Sequence, residues 1–256
     1  YRKQWVDFPG APATSFLSFD KRFVDRNVGL GFTFVNDKIG VSDQTDIAAH
    51  YSYHIPMGKG HLSLGIKAAL SYYTARLTDL TVWDDGDRVY ANNIIDKWVP
   101  NFGVGTYYYT DMFYAGISVP HLVNYNRPST FIAAKISAVP NYERHYYITS
   151  GYVIPLPSDV FVKPSVLLKY VQHAPVEADL NVNVFFLNTF SVGASYRTYD
   201  GFVAMTEIKV AKGLRLGYAF DWPMHKINSY SSGTHEVMVA YDFIKDIYKM
   251  KSPRFF

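Results

Sequence analysis

Residues 161–188 read FVKPSVLLKYVQHAPVEADLNVNVFFLN and contain two segments in which apolar and polar side chains alternate, joined by a short turn. Because side chains on a β-strand point alternately to its two faces, each segment predicts a strand with one apolar and one polar face. A soluble sheet can share this pattern, but about ten residues of nearly unbroken alternation is the length of a tilted transmembrane strand. We therefore interpret the apolar face as lipid-facing and the polar face as the wall of a wet lumen. The apolar positions are Val162, Pro164, Val166, Leu168 and Tyr170 in the first segment, and Ala178, Leu180, Val182, Val184 and Phe186 in the second.

The composition of the whole chain favours the same class of protein. The 256 residues are 48% hydrophobic and only 18% charged, which suits a single barrel domain over residues 1–256. Aromatic residues make up 17%, as expected if they form girdles at two membrane interfaces. The net charge of +3 is too small to indicate a nucleic-acid partner, and the lack of cysteine excludes disulfides and thiolate chemistry. No apolar run is long enough for a transmembrane helix, so strands must make the contacts with membrane lipids.

Similar alternation recurs along the chain and predicts thirteen strands, to which Tyr1–Trp5 adds the end of a strand whose beginning is missing. The predicted fold is an all-β transmembrane antiparallel β-barrel of about 14 strands, and an even number is expected of a bacterial single-chain barrel. Residues 244–256 are predicted to form a periplasmic C-terminal tail.

The predicted connections differ in length according to the end of the barrel at which they lie. Every second connection is short, whereas all of the long ones fall in the other set. Outer-membrane barrels have short periplasmic turns and long extracellular loops. We therefore predict a bacterial outer-membrane protein with both termini in the periplasm. The predicted long loops are residues 6–13, 36–44, 75–99, 121–143 and 225–233.

Charged side chains on the polar faces predict a crowded lumen. Their signs are mixed, which favours ion pairs between strands over a general pore. The residues predicted to face the lumen are Lys67, Lys163, Lys169, Glu177, Asp179, Asn181, Arg197, Glu207, Arg215 and Asp221. Those predicted to face lipid include Leu64, Ile66, Leu180, Val182 and Val184.

A search for catalytic and metal-binding motifs finds little. His50 and His54 share a strand face but are about 13 Å apart along it, too far for one metal ion. His50 and Ser52 are about 7 Å apart, so no direct hydrogen bond is expected and no Ser–His pair can be placed for a lipid hydrolase. The acidic residues 84–87 suit a solvated loop tip better than a Ca²⁺ site. The sequence therefore predicts no cofactor, no metal and no enzyme activity.

Several longer stretches resemble a known family. They are YRKQWVDFPGAPAT, VGLGFTFVNDKIGVSDQT, HIPMGKGHLSLGIKAALS, PNFGVGTYYYTDMFYAGISVPHL, RHYYITSGY, KPSVLLKY, SVGASYR, LRLGYAFDWP and SSGTHEVMVAYDF, in order through nearly the whole chain. In these stretches the chain is similar to the PorP/SprF family of Bacteroidetes outer-membrane barrels, which belong to the type IX secretion and gliding motility apparatus. Members carry an additional N-terminal stretch that ends in a first strand, which fits the incomplete strand at Tyr1–Trp5.

The resemblance implies a non-enzymatic role in export or surface attachment of a secreted cargo protein. Such cargo is often an adhesin with a type B C-terminal domain, whereas other members are linked to the periplasmic ring of the secretion machine. A passive porin or solute channel of the outer membrane is the alternative, and a conductance measurement distinguishes the two.

Four of the long outer loops are the predicted docking surface for cargo, namely residues 6–13, 75–99, 121–143 and 225–233. Aromatic residues and arginine are favoured at binding hot spots, and the two longest loops are rich in both. The opposing interpretation is that these loops fold inward and plug the barrel. The predicted partner-binding residues are Trp83, Asp84, Asp85, Asp87, Arg88, Tyr90, Tyr125, Arg127, Tyr142 and Tyr230.

Overall fold

A computed structural model of the chain describes residues 1–80, 92–124, 143–187 and 189–243. In these ranges the chain is almost entirely β-strand, and its helical structure is limited to three short 3-10 turns at Val24–Arg26, Leu77–Asp79 and Lys226–Ser229. Within the described residues, no helix has the length and apolar character needed to cross a membrane. The strand segments are β1 Arg2–Lys3, β2 Ala13–Phe23, β3 Val28–Ile39, β4 Ser42–Met57, β5 Gly60–Ala75, β6 Ile94–Tyr109, β7 Phe113–Val119, β8 His145–Tyr152, β9 Ile154–Leu156, β10 Val160–Val171, β11 Glu177–Phe186, β12 Phe190–Arg197, β13 Gly201–Ala211, β14 Leu214–Pro223 and β15 Thr234–Tyr241.

These segments form one closed antiparallel barrel. β8 and β9 are two parts of a single barrel strand, because both pair with β10 and are separated only by Val153. The described segments thus make fourteen barrel strands, each hydrogen-bonded to its neighbours in sequence. β1 closes the ring by pairing with β15 on one side and β2 on the other. The predicted fold class and strand number are confirmed.

The barrel has the opposite polarity to that of a soluble protein. Leu180 and Ile66 lie on its outer surface with 52% and 61% of their area exposed. On the inner face, by contrast, Asp179 is 7% exposed and Asn101 only 1% exposed. Apolar side chains outside and polar side chains inside are what a strand needs when one face contacts lipid and the other contacts water.

The β10–β11 pair illustrates why register fixes this polarity. In β10–β11, Val162 pairs with Val184, and Lys163 pairs with Asn183. Because side chains alternate with a period of two, shifting one strand by a single residue would turn every lysine and aspartate towards lipid. The apolar and polar faces therefore continue across neighbouring strands only in the observed register.

Connections at the two ends of the barrel differ in length. At one end, here called the turn end, none is longer than four residues; at the other, the loop end, they reach twenty-five. The turn-end connections are residues 24–27, 58–59, 110–112, 157–159, 187–189 and 212–213. The loop-end connections are residues 4–12, 40–41, 76–93, 120–144, 172–176, 198–200 and 224–233.

One predicted long loop, residues 36–44, is wrong. β3 and β4 pair as far as Ile39 and Ser42, which leaves a two-residue turn at Gly40 and Val41. Gly40 has a φ of +56°, a conformation that glycine adopts without strain. The alternation is lost here because the hairpin is polar on both faces: Asn36 donates to the Asp43 carboxylate at 2.7 Å, and Lys38 lies 3.4 Å from it. The prediction took a polar strand extension for a loop.

Candidate functional site

The two surfaces that define the site are the loop end and the inner face of the barrel. Of the predicted partner-binding residues, Tyr230 is described, and it lies in the 224–233 connection with 71% of its area exposed. The others lie outside the described residues: Trp83, Asp84, Asp85, Asp87, Arg88, Tyr90, Tyr125, Arg127 and Tyr142.

Three of the loop-end connections are hydrogen-bonded to one another and form a continuous rim. The backbones of Val6 and Ser232–Gly233 exchange two hydrogen bonds of 2.9 Å, which join the 4–12 and 224–233 connections. On its other side, the 4–12 connection meets the β3–β4 turn, where Gly40 donates to the Gly10 carbonyl at 2.9 Å. Backbone bonds of this kind fix the positions of the loops relative to the barrel.

The base of the 76–93 connection is held by a side-chain clamp. Asn93 accepts hydrogen bonds through its Oδ1 from both the backbone N–H and the hydroxyl of Thr78, each at 3.0 Å. The two ends of the connection are therefore tied together before the chain leaves the described residues.

A buried asparagine performs the same task for the 120–144 connection. Asn101 on β6 donates to the Val123 carbonyl at 3.0 Å and accepts from the Val123 N–H at 3.1 Å, so its amide replaces a missing strand partner. Gly103 permits this approach, because a Cβ there would lie 2.7 Å from the Pro120 carbonyl oxygen. Arg144 closes the other side of the loop base by donating to the Leu122 carbonyl at 2.8 Å. Sequence reasoning missed Asn101, whose only signal was a polar residue at an inward position.

Large apolar side chains are exposed beside this rim. Tyr199, Trp222, Met224 and Tyr230 are each more than 60% exposed, and all lie near the loop-end connections after β12 and β14. A pocket of about 250 Å³ opens here between the β14 residues Phe220 and Trp222 and the loop residues 231–233. Aromatic groups in such a position suit either the membrane interface or contact with a protein partner.

Inside the barrel, a chain of ion pairs runs along the loop end. Arg197 lies at its centre: its Nη1 is 2.8 Å from Asp200 and 3.4 Å from Asp221, and its Nε is 3.3 Å from Asp179. Lys169 continues the chain from Asp179 at 3.0 Å. The remaining contacts are Lys169–Glu177 at 3.9 Å, Arg2–Asp221 at 2.7 Å, Arg2–Glu236 at 3.5 Å and His225–Asp200 at 3.3 Å.

This network joins residues from β1, β10, β11, β12, β14 and β15, so it connects nearly half of the barrel wall. Five of the residues predicted to face the lumen belong to it, namely Lys169, Glu177, Asp179, Arg197 and Asp221. Sequence reasoning missed Arg2 and Glu236, because their pairs join strands that are distant in the sequence. It also missed Asp200, which lies in the connection after β12, only three residues from Arg197.

The other predicted lumen residues also lie on the inner face but outside this network. Arg215 contacts Glu207 at 3.1 Å and Asp242 at 3.3 Å near the turn end. Lys163 lies over the Phe185 ring at 4.9 Å, and Asn181 donates to the Asp179 carbonyl at 3.3 Å. Lys67 lies opposite His50 in the β4–β5 ladder.

The prediction that no Ser–His pair could be placed is wrong. The His54 ring bonds to Ser63 Oγ through Nδ1 at 2.6 Å and to Ser52 Oγ through Nε2 at 3.2 Å, because the imidazole reaches along its own strand and across to the next. Ser63 is buried, however, and within the described residues no carboxylate bonds to His54 to orient it as a base. Among the described residues, no three His, Cys, Asp or Glu side chains lie close enough to hold a metal ion.

The fold and polarity define the class: a transmembrane β-barrel with a polar interior, short turns at one end and long connections at the other. The chain belongs to the PorP/SprF family, described as type IX secretion system membrane protein PorP/SprF, whose profile matches residues 1–241. Membership places the protein among the membrane components of that secretion system and implies association with its other components, and the family is not one of known enzymes. No curated protein matches the chain.

Proposed function

We propose that the protein is a non-enzymatic outer-membrane barrel that binds, helps to export or anchors a secreted cargo protein at the cell surface. The observation that carries this proposal is the one-sided distribution of its connections. All connections longer than five residues lie at the loop end. Strand closure alone needs only two to five residues, so connections of eighteen and twenty-five residues are available for another task.

The fixed bases of these connections favour docking. Asn93 ties together the two ends of the 76–93 connection, and Asn101 ties the 120–144 connection to the barrel, so the parts beyond them start from defined positions. Loops that begin from a rigid scaffold are the usual place for recognition. The exposed aromatic groups at Tyr199 and Tyr230 extend the same surface.

The resemblance to the family suggests the cargo, and the lengths of the connections suggest the orientation. We propose that the loop end faces outwards and both termini face the periplasm, as the lengths of the connections in outer-membrane barrels suggest. The cargo is proposed to be an adhesin with a type B C-terminal domain, and the turn end would then face the translocon or the periplasmic ring.

The direct test removes one long connection and leaves its clamp in place. Residues 80–91 are replaced by a short Gly-Ser linker, so that Thr78 and Asn93 remain paired. Insertion of the same linker into the turn at residues 212–213 serves as the control at the opposite end. Heat-modifiable electrophoresis measures folding of the barrel, and antibody labelling of intact cells measures surface cargo.

We expect both variants to fold, with surface cargo lost only from the variant at the loop end. If the loop-end variant folds and keeps its surface cargo at the level of the control, this connection has no part in docking. The porin alternative is supported by the polar inner face and is tested separately. Large, steady single-channel currents in planar bilayers would favour it over a cargo-binding role.

A further inference from the structure

Arg22 differs from the other inward-facing arginines of the barrel. Arg2, Arg197 and Arg215 each contact at least two carboxylates. Within the described residues, the Arg22 side chain has neither an ion pair nor a hydrogen bond; its buried Nε–H is a feature that it shares with the other three. A guanidinium carries five N–H donors and cannot lose its charge, so this half-buried side chain keeps its charge and its donors available to a ligand in the lumen.

The position of Arg22 identifies where its donors are directed. Arg22 is the inward-facing residue next to the end of β2, and its guanidinium lies 5.7 Å from the centre of the Tyr109 ring on β6. Three strands separate β2 from β6, so the side chain extends across the lumen rather than along the wall. Tyr109 ends its strand at the turn end, beside residues 110–112.

Two histidines also contact the Tyr109 ring. The His61 ring stacks on it at 5.4 Å, and within the described residues the His61 imidazole forms no hydrogen bond. His54 meets the ring edge-on at 6.3 Å while both of its nitrogens are occupied by Ser52 and Ser63. The result is a cluster of one arginine and two histidines around an aromatic platform, without a bonded carboxylate in the described part of the chain.

We propose that Arg22, positioned over Tyr109 and with His61 stacked on the same ring, forms an oxyanion-binding site in the lumen at the turn end, which takes a phosphate or carboxylate group. Arginine is suited to this role because its planar fork matches two oxygens of either group. The proposed docking of cargo at the loop end does not depend on this site. A negative result for oxyanion binding would leave the docking proposal unchanged.

The test uses the folded full chain in detergent with inorganic phosphate and acetate as separate probes. Titration is followed by NMR of the arginine Nε–H groups, and the Arg22 signal is assigned by its loss in Arg22→Gln. The matched control is Lys21→Gln, which removes the same charge from the next residue on the outward face of β2.

We expect a saturable shift of the Arg22 signal in the wild-type chain and in the control. Affinity for the probe, followed through the His61 ring signals, should fall roughly tenfold or more in Arg22→Gln. Arg22→Lys keeps the charge but loses the planar fork of donors, so its affinity for the probe should lie between those of the wild type and Arg22→Gln. It replaces Arg22→Gln in the comparison if that variant does not fold. Saturation by only one probe supports the proposal and identifies the group. Absence of saturation by both probes, or equal affinity in Arg22→Gln and wild type, overturns it.

Discussion

Replacing Arg197 by methionine tests whether the ion-pair network at the loop end stabilises the barrel. The side chain contacts three carboxylates, of which Asp179 and Asp221 are almost fully buried. Removing one member of a buried pair usually costs about 3–5 kcal/mol, because the remaining charge stays buried without its partner.

The structure places the cost of this substitution at or below the lower limit of that range. Asp179 keeps Lys169 at 3.0 Å, and Asp221 keeps Arg2 at 2.7 Å, so neither buried acid loses all of its cationic partners. Asp200 loses the shortest contact, a charged hydrogen bond of 2.8 Å. We therefore expect the free energy of unfolding to fall by about 2–3 kcal/mol.

The assay is equilibrium unfolding in guanidinium chloride of the protein folded in lipid vesicles, followed by tryptophan fluorescence. Arg26→Met is the matched control, since Arg26 is exposed in the turn after β2 and its loss should change stability by less than about 0.5 kcal/mol. A double-mutant cycle with Asp200→Asn should give a coupling free energy of roughly 1–2 kcal/mol. If Arg197→Met and Arg26→Met have equal effects, lumen water screens the network and the reasoning fails.

Three further predictions concern the wall, the orientation and a loop base. Val182→Arg places a charge on the lipid face and should lower the free energy of unfolding by about 2–4 kcal/mol if it lies near the midplane, whereas Asn181→Arg on the inner face should lower it much less. Equal losses measured by unfolding in lipid vesicles would contradict the assignment of the two faces. Because the chain has no cysteine, Tyr230→Cys and Lys59→Cys each introduce a single labelling site. A membrane-impermeant maleimide on intact cells should label only Tyr230→Cys, and labelling of only Lys59→Cys would show that the barrel has the opposite orientation. Asn101→Leu leaves the backbone of Val123 without its partner and should cost about 1–3 kcal/mol, with faster hydrogen exchange at residues 120–124; unchanged exchange there would show that the amide is dispensable.

Much of the barrel follows from the sequence because lipid imposes a simple rule on each strand. β10 and β11 were predictable from alternation alone, since every outward position must be apolar and every inward one tolerates charge. Lipid imposes this alternation only on the part of a strand that it contacts. Beyond that part, residues such as Asn36 and Asp43 can be polar on either face, so the sequence of the extended β3–β4 hairpin resembled that of a loop.

The candidate site was less predictable because its contacts join distant parts of the chain. Arg2 and Asp221 are separated by 219 residues, and only closure of the barrel brings them together. The Ser63–His54 contact was missed for a different reason, since spacing along one strand says nothing about the reach of an imidazole to the next strand.

The unequal lengths of the strands give the barrel mouth a sloping profile. β4, β5 and β6 have sixteen residues each, whereas β12 and β15 have eight. With a rise of about 3.3 Å per residue and a tilt of about 40°, the long strands extend about 40 Å along the barrel axis, compared with an apolar band of about 25 Å. At the loop end, the wall around Lys38 therefore extends farther along the barrel axis than the wall around Tyr199. A bulky partner that approaches from the surrounding water would meet the high side first and descend from it towards the aromatic groups on the low side.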